Sequence, residues 1–197
     1  MKAAERTVQQ ILHAADQYVI PVFQRYYVWG KKEWDQLCDD LLLLLEASEV
    51  QRRHFLGSIV CVSEPHVPGV VPAYQVIDGQ QRLITLSILL CALRNSAAEK
   101  GWNKLAGEVE ENYLIHRFKE GRERYKVFPR LRDRNSLLAL IDSKSPTATS
   151  QIDAACDYLT KRLDDDDANI LASEESLRNF FTTLTTRVDF VSITLDN

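Results

Sequence analysis

The sequence predicts an α+β protein in which a small sheet packs against helices and is followed by a mainly helical extension. Residues 31–46 and 80–98 place leucines at three- and four-residue spacing, which is typical of helices. Residues 56–62, 73–77 and 188–195 are short apolar or alternating runs, which are typical of strands. Because strands and helices both recur along the chain, neither an all-α nor an all-β protein is expected.

The first hundred residues are expected to hold the sheet. Residues 7–15 are predicted to form a short helix capped by Thr7. Residues 18–22 are predicted to be extended, because Pro21 disfavours helix at the residue before it, and an aromatic loop over residues 23–29 follows. The strands predicted at residues 56–62 and 73–77 are expected to pair as a hairpin with a long connection. The helix after them is apolar nearly all round, the pattern of a buried central helix.

The second hundred residues read mainly as helices. We therefore expect a division into residues 1–100 and a mainly helical extension over residues 101–197. The run Asp164 to Asp167 is interpreted either as a cation site or as a solvated loop. Helices are predicted over 102–118, 135–141, 152–163 and 174–184, with strand-like alternation at 124–131 and a linker at 144–150.

Composition favours a soluble cytoplasmic protein. The chain has 197 residues, of which 45% are hydrophobic, and this is enough to fill a core. No apolar run reaches the roughly 18 residues of a membrane span. The four cysteines are widely spaced and the first residues lack an apolar signal core, which together favour a reducing cytoplasm. The four histidines stand singly, without metal-ligand spacing.

A strand, a glycine turn and a helix start meet in the segment Asp78-Gly79-Gln80-Gln81-Arg82. Gly79 lets the backbone approach a ligand, and the helix N-terminus presents unpaired N–H groups to an anion. Arg82 adds a forked donor suited to phosphate, Asp78 can hold a metal ion or orient a water, and Gln80 and Gln81 can position one. The alternative is a capping Asp78, a simple turn and a surface Arg82.

Three blocks in a fixed order give the chain a family resemblance. They are Ile20 to Trp29, Phe55 to Val60, and Val76 to Leu86. Together they resemble the N-terminal domain of the GmrSD-type restriction proteins, a branch of the ParB/sulfiredoxin-like nucleotide-binding group with a small mixed sheet. The resemblance covers roughly residues 7–95 and then fades. It implies nucleotide binding and hydrolysis, coupled to a C-terminal nuclease domain of His-Asn-His type that cuts modified DNA.

The chain departs from these relatives at two places. Sulfiredoxin carries a catalytic cysteine directly after the glycine of its phosphate loop, whereas Gln80 stands there in this chain, so sulfinic acid reduction is not expected. The sequence also reaches Asn197 without a His-rich nuclease segment. We therefore expect the chain to be truncated before a nuclease domain that acts in cis or in trans.

The resemblance implies a division of labour within the site. Asp78 positions a metal ion or the attacking water, Gln80 and Gln81 orient, and Arg82 neutralises charge in catalysis. The expected cofactor is a nucleoside triphosphate, GTP or another, with Mg²⁺. The residues expected to bind the nucleotide are Gln24, Arg25, Gly57, Ser58 and Gly79.

Several of these residues have a simpler interpretation. Gln24 and Arg25 could be an exposed loop pair, and Gly57 could mark a bulge instead of a close approach to the ligand. The aromatic residues of the loop could stack on a base or could close the core. Those aromatic residues are Tyr26, Tyr27 and Trp29.

Positive charge is concentrated between residues 117 and 134. This segment contains eight Lys or Arg residues and three acidic residues, which gives a local charge of +5 in a chain whose net charge is -4. Arg122, Arg124 and Lys126 are the residues predicted to contact DNA through its phosphates. The alternative is a segment whose charges only face solvent.

The resulting hypothesis is a nucleotide-binding, NTP-hydrolysing module of a modification-dependent DNA restriction system. Its expected partners are DNA, in modified form, a nuclease domain and a second copy of the chain. The first alternative is a nucleotide- or DNA-binding regulatory module without turnover. The second is a nonspecific nuclease of the ParB-like type.

Overall fold

Six strands form one mixed sheet in the computed structural model, which describes residues 1–47, 52–65, 67–144, 150–165 and 169–195. Across the sheet the strand order is β1-β6-β3-β4-β2-β5, with antiparallel pairs β1–β6 and β3–β4 and parallel pairs elsewhere. The prediction of a mixed α+β fold is confirmed. The strands are β1 (Lys2–Thr7), β2 (Gln17–Val19), β3 (His54–Ser63), β4 (Ala73–Asp78), β5 (Val127–Phe128) and β6 (Val188–Leu195).

The longest helix, α3, lies in the core and begins at the motif Asp78 to Arg82. Helix α3 is buried on all sides, because its leucines, isoleucines and alanines leave no polar face. Helices α4, α5, α6 and α7 pack against it. The helices are α1 (Val8–Leu12), α2 (Lys31–Glu46), α3 (Gln80–Glu99), α4 (Asn103–Val109), α5 (Leu131–Ile141), α6 (Gln151–Leu163) and α7 (Glu174–Arg187).

The sheet takes strands from both sides of residue 100. Strand β6 lies between β1 and β3, and β5 pairs with β2. The apolar side chains of both parts join one hydrophobic core. The two predicted parts of the chain therefore share a sheet and a core, and the site at the start of α3 is supported by both.

Some elements differ from the predictions, and each difference has a long-range cause. Strand β1 was not predicted because its residues are mostly exposed and polar, and it exists through its pairing with β6. The predicted strand 124–131 is reduced to β5. The predicted helix 102–118 passes from α4 into a π-helical turn at Glu110–Leu114 and stops, because Ile115 forms a bridge with Tyr125.

Other predictions concern the chemistry of the chain. All four cysteines are free and buried, and burial raises the pKa of each thiol to about 11 or 12, so none is poised as a nucleophile. Within the described residues, no helix is both long and apolar enough to cross a bilayer. Residues 145–149 of the predicted linker, and Asp166 and Asp167 of the aspartate run, lie outside the described residues.

Candidate nucleotide site

The turn from β4 into α3 is held tightly against strand β3. Gly79 adopts φ 94°, in the left-handed region that favours glycine. A Cβ atom built on it would lie 2.8 Å from the carbonyl oxygen of Ser58. Only glycine fits both the conformation and the space, which agrees with the role predicted for Gly79 in the turn.

The motif and the aromatic loop meet in one cleft of about 350 Å³. Gly79 stands at the N-cap position of α3, and no side chain of the described residues caps the helix, so Asp78 is not the cap of the alternative interpretation. The first-turn amides of this helix therefore keep their capacity to bind an anion. The structure brings together Gln24, Arg25, Trp29, Asp78, Gly79, Gln80, Gln81 and Arg82 as the lining of this cleft.

Arg82 is one of the residues that line the cleft. Its Nη1 donates to the Ser58 carbonyl at 3.0 Å and lies 4.0 Å from a carboxylate oxygen of Asp78. The Arg82 side chain is 29% exposed and that of Asp78 65% exposed. Arg82 is thus anchored to β3 and not a loose surface residue, while Asp78 is open to a ligand.

Gly57 and Ser58 support Arg82 and do not line the cleft. The register between β3 and β6 shifts between Phe55 and Gly57, which confirms the bulge that was the alternative interpretation of Gly57. Gly57 has φ 119°, and a Cβ there would lie 2.8 Å from Nε of Arg82. Gly57 and Ser58 both contact Arg82, whose guanidinium occupies the space beside Gly57, and their direct contact with a nucleotide stays a prediction.

This packing makes Gly57→Ala a test of how Arg82 is positioned. We expect the added methyl to displace the guanidinium and to weaken triphosphate binding as much as loss of Arg82 does. The positive φ itself costs on the order of 1–3 kcal/mol in stability. Gly101→Ala is the matched control, since Gly101 also has a positive φ of 80° but has no atom within 4 Å of the added Cβ. Titration calorimetry of both variants contradicts the assignment if they bind equally well.

Gln81 holds the aromatic loop in place. Its Oε1 accepts from the backbone N–H groups of Val28 at 2.9 Å and Trp29 at 3.4 Å, and its Nε2 donates to the Tyr26 carbonyl at 3.1 Å. The side chain is 4% exposed. The role predicted for Gln81, orienting a water, does not fit, because both ends of its amide are used by the loop.

Gln81→Ala is expected to loosen this loop and to reduce the free energy of unfolding by about 1 kcal/mol, because the part-buried N–H groups of Val28 and Trp29 lose their acceptor. Gln80→Ala serves as the control one residue earlier in the same turn. Gln80 is equally buried, but its Oε1 has no hydrogen-bond partner in the described part of the chain. Urea unfolding at constant m-value measures both variants. A larger loss for Gln80→Ala than for Gln81→Ala contradicts this role.

Tyr27 closes the core, as its alternative interpretation has it. The residue is 1% exposed, and its hydroxyl lies 2.8 Å from Thr85 Oγ1 and accepts from Trp34 Nε1 at 2.8 Å. Its backbone N–H donates to Asp133 Oδ2 at 3.1 Å. Stacking on a base in this cleft is therefore left to the half-buried Trp29, because Tyr26 is 42% exposed but is not among the residues that line it.

Gln24 and Arg25, which precede the aromatic residues of the loop, differ in whether their side chains have hydrogen-bond partners. Gln24 donates from Nε2 to the Ile77 carbonyl at 2.8 Å, so it ties the loop to the end of β4. Arg25 is exposed and makes no hydrogen bond or ion pair with any residue that the structure describes. Arg25 is thus the more available cation for a ligand in the cleft.

Three further residues that hold the loop in place were not predicted from the sequence. Arg130 donates to the Gln24 carbonyl, and Gln151 Nε2 donates to the Trp29 carbonyl at 2.7 Å. Asp133 holds the Tyr27 amide, and burial raises the pKa of its carboxyl. All three belong to elements more than a hundred residues away in sequence, so no local pattern indicated them.

The three cations predicted to contact DNA have other partners. Lys126 is 5% exposed and donates to the Ala14 carbonyl, and burial lowers its pKa to about 8. Lys126 is therefore withdrawn from solvent, and this burial does not fit the predicted contact with DNA phosphates. Arg122 is ion-paired with Glu64 at 3.3 Å, and Arg124 lies 3.6 Å from Asp142 and 3.9 Å from Glu110.

Metal binding in the cleft depends on a single carboxylate. Among the residues that the structure describes, no group of three or more His, Cys, Asp or Glu side chains converges on one point. Asp78 is the one carboxylate among the cleft-lining residues. This donor set fits Mg²⁺ bound as a nucleotide complex, since Mg²⁺ uses one or two carboxylates together with phosphate oxygens and water.

The fold and the cleft define an α+β domain in which a strand–glycine–helix turn and an aromatic loop line one cleft. The chain belongs to the family of GmrSD restriction endonuclease N-terminal domains, whose model matches residues 8–197. It is therefore a component of a restriction system. The expectation that the resemblance fades after residue 95 is wrong, because the match continues through the second hundred residues. No curated protein matches the chain significantly.

Proposed function

We propose that this domain binds and hydrolyses a nucleoside triphosphate, GTP or another, in the cleft at the start of α3. The observation that supports this most is the convergence there of an uncapped helix N-terminus with Arg82, Arg25 and Asp78. Helix N-termini with forked cations are suited to phosphate oxygens, and an exposed carboxylate beside them is suited to a metal-bound phosphate.

In this proposal the chain's own groups divide the work. The amides after Gly79 hold phosphate oxygens, and Arg82 and Arg25 neutralise the charge that develops during transfer. Asp78 orients the attacking water and holds the metal ion, and Gln80 remains as the amide able to assist it. A bound Mg²⁺ ion would supply further neutralisation of the phosphate charge.

The family supplies the partners of the proposal. A domain of a restriction endonuclease works with DNA and with a nuclease domain, and we propose that the DNA carries a modification. Hydrolysis in the cleft would then gate cleavage that is carried out by the nuclease domain, in cis or in trans. Self-association of the chain in this assembly is part of the same proposal.

The direct test is a thermal-shift screen of nucleoside triphosphates with and without Mg²⁺, followed by a phosphate-release assay. A ligand at 100 times its Kd raises the stability by roughly 2.7 kcal/mol, which is readily detected. We expect stabilisation by one or more triphosphates and metal-dependent release of phosphate. The absence of stabilisation by every triphosphate at millimolar concentration overturns the proposal.

One observation favours the alternative of binding without turnover. The amide of Gln81, predicted to orient water, is committed to the backbone of the aromatic loop. Fewer groups are therefore available for catalysis than the sequence indicated. Stabilisation by a triphosphate without phosphate release would assign this regulatory role to the domain.

A further inference from the structure

A second cleft of about 540 Å³ lies on the other side of the aromatic loop. Tyr26 and Val28 form its wall, and Arg132 and Ser136 of helix α5 face them. The volume is within the range of about 300–1,000 Å³ that small-molecule sites occupy. This cleft shares the loop with the nucleotide site but none of the motif residues.

The Arg132 guanidinium lies over the ring of Tyr26. Its guanidinium carbon lies 4.0 Å from the ring centroid, and both residues are exposed. Such a stacked pair offers a planar π surface and a positive charge at the same place. Guanidinium planes and aromatic rings are the surfaces on which unstacked bases rest in proteins that bind single strands.

The charge of Arg132 is not neutralised by an ion pair. No carboxylate of the described residues lies within 4.0 Å of it, whereas Arg117, Lys119, Arg122 and Arg124 of the same basic segment all have such partners. An exposed cation without an ion pair can release counterions from a nucleic-acid backbone. The basic segment therefore has a paired part before residue 125 and an available part at Arg132.

Polar groups surround the stacked pair. Ser136 supplies a hydroxyl, and Gln151 lines the same cleft while its Nε2 donates to the Trp29 carbonyl. One carboxylate oxygen of Asp133 is engaged by the Tyr27 amide. Donors and acceptors next to a stacking surface are what the edge of a base requires.

We infer that this second cleft binds an unstacked nucleotide of a single DNA strand, with its base on the Arg132–Tyr26 pair and its phosphate beside the Arg132 guanidinium. The inference rests on the proposed role in a DNA restriction system, and it moves the DNA contact from Arg122, Arg124 and Lys126 to the loop and α5. Because Gln81 holds the backbone of Tyr26 and Val28, the loop joins this cleft to the nucleotide site.

The test is fluorescence anisotropy with a labelled single-stranded DNA of about 12 nucleotides, without nucleoside triphosphate. We expect Arg132→Ala to weaken binding by about tenfold and to flatten the salt dependence of log affinity by about 0.7, the value for one phosphate contact on a single strand. Arg122→Ala is the matched control, since it removes the same charge from a paired arginine of the same segment. Equal effects of the two variants overturn the inference.

The stacking part has its own readout. Tyr26→Ala should weaken binding of the intact strand by about tenfold but leave binding of an abasic strand unchanged, because only the intact strand has bases to stack. The inference is overturned if Tyr26→Ala weakens binding of the intact and the abasic strand equally. It is also overturned if duplex DNA binds more tightly than the single strand and Tyr26→Ala does not change that affinity. If Tyr26→Ala does not fold by circular dichroism, Tyr26→Leu replaces it. Triphosphate affinity of Arg132→Ala, measured separately, shows whether the nucleotide site still binds its ligand when the second cleft has lost DNA binding.

Discussion

Asp78→Asn is expected to lower the rate of phosphate release by about 10²–10⁴-fold while leaving triphosphate affinity within about threefold of wild type. The amide keeps the size of the carboxylate but cannot accept a proton from the attacking water, so the loss should appear in the rate more than in the affinity. Asp78 is 65% exposed and lies 4.0 Å from Arg82, so the fold does not depend on its charge. Single-turnover phosphate release and titration calorimetry measure the two quantities.

The control for this variant is Glu64→Gln, which removes an equally negative residue that is ion-paired outside the cleft. It should change neither quantity. Equal losses of affinity and rate in Asp78→Asn would show that the carboxylate acts in ground-state binding, because a transition-state role lowers the rate more than the affinity. An unchanged rate would remove Asp78 from the catalytic residues.

Arg82→Ala is expected to weaken triphosphate binding by about 10- to 150-fold, which corresponds to roughly 1.5–3 kcal/mol for hydrogen bonds to a charged group. The variant also loses the bond to the Ser58 carbonyl and the packing over Gly57, so the free energy of unfolding should fall by about 1 kcal/mol. Titration calorimetry and urea unfolding separate the two effects.

Two companions sharpen the test of Arg82. Arg82→Lys keeps the charge but not the planar fork, and we expect it to recover only part of the affinity. Arg94→Lys is the control on the same helix, because Arg94 is 3% exposed and hydrogen-bonded to the Leu140 carbonyl at 2.8 Å, away from the cleft. Triphosphate affinity that is unchanged in folded Arg82→Ala shows that the phosphate site lies elsewhere.

Local patterns in the sequence were sufficient for the elements that position the site. The apolar character of residues 80–98 on nearly all sides predicted the buried central helix, and the hairpin before it was predicted from two short apolar runs. Gly79, between the second strand of the hairpin and the helix, predicted the turn that joins them. These features depend on neighbours in sequence, because helix and strand periods are expressed over a few residues.

Partners of individual side chains were not predictable in this way. Gln80 and Gln81 are adjacent and identical in type, yet one holds the aromatic loop and the other has an oxygen without a partner. Arg122 and Arg132 belong to the same basic segment, but only Arg122 faces a carboxylate within 4.0 Å in the described chain. Which residue meets which is decided by elements that are distant in sequence.

The sequence by itself determined the fold class, the family and the strand–glycine–helix turn, because the fold class and the turn follow from patterns among neighbouring residues and the family from short blocks in a fixed order. Only the tertiary structure decided that β6 enters the middle of the sheet, that Arg82 rests on the bulge at Gly57, and that Lys126 is buried. Long-range pairing lacks a local periodic signal, since it arises when the sheet closes and distant polar groups must find partners.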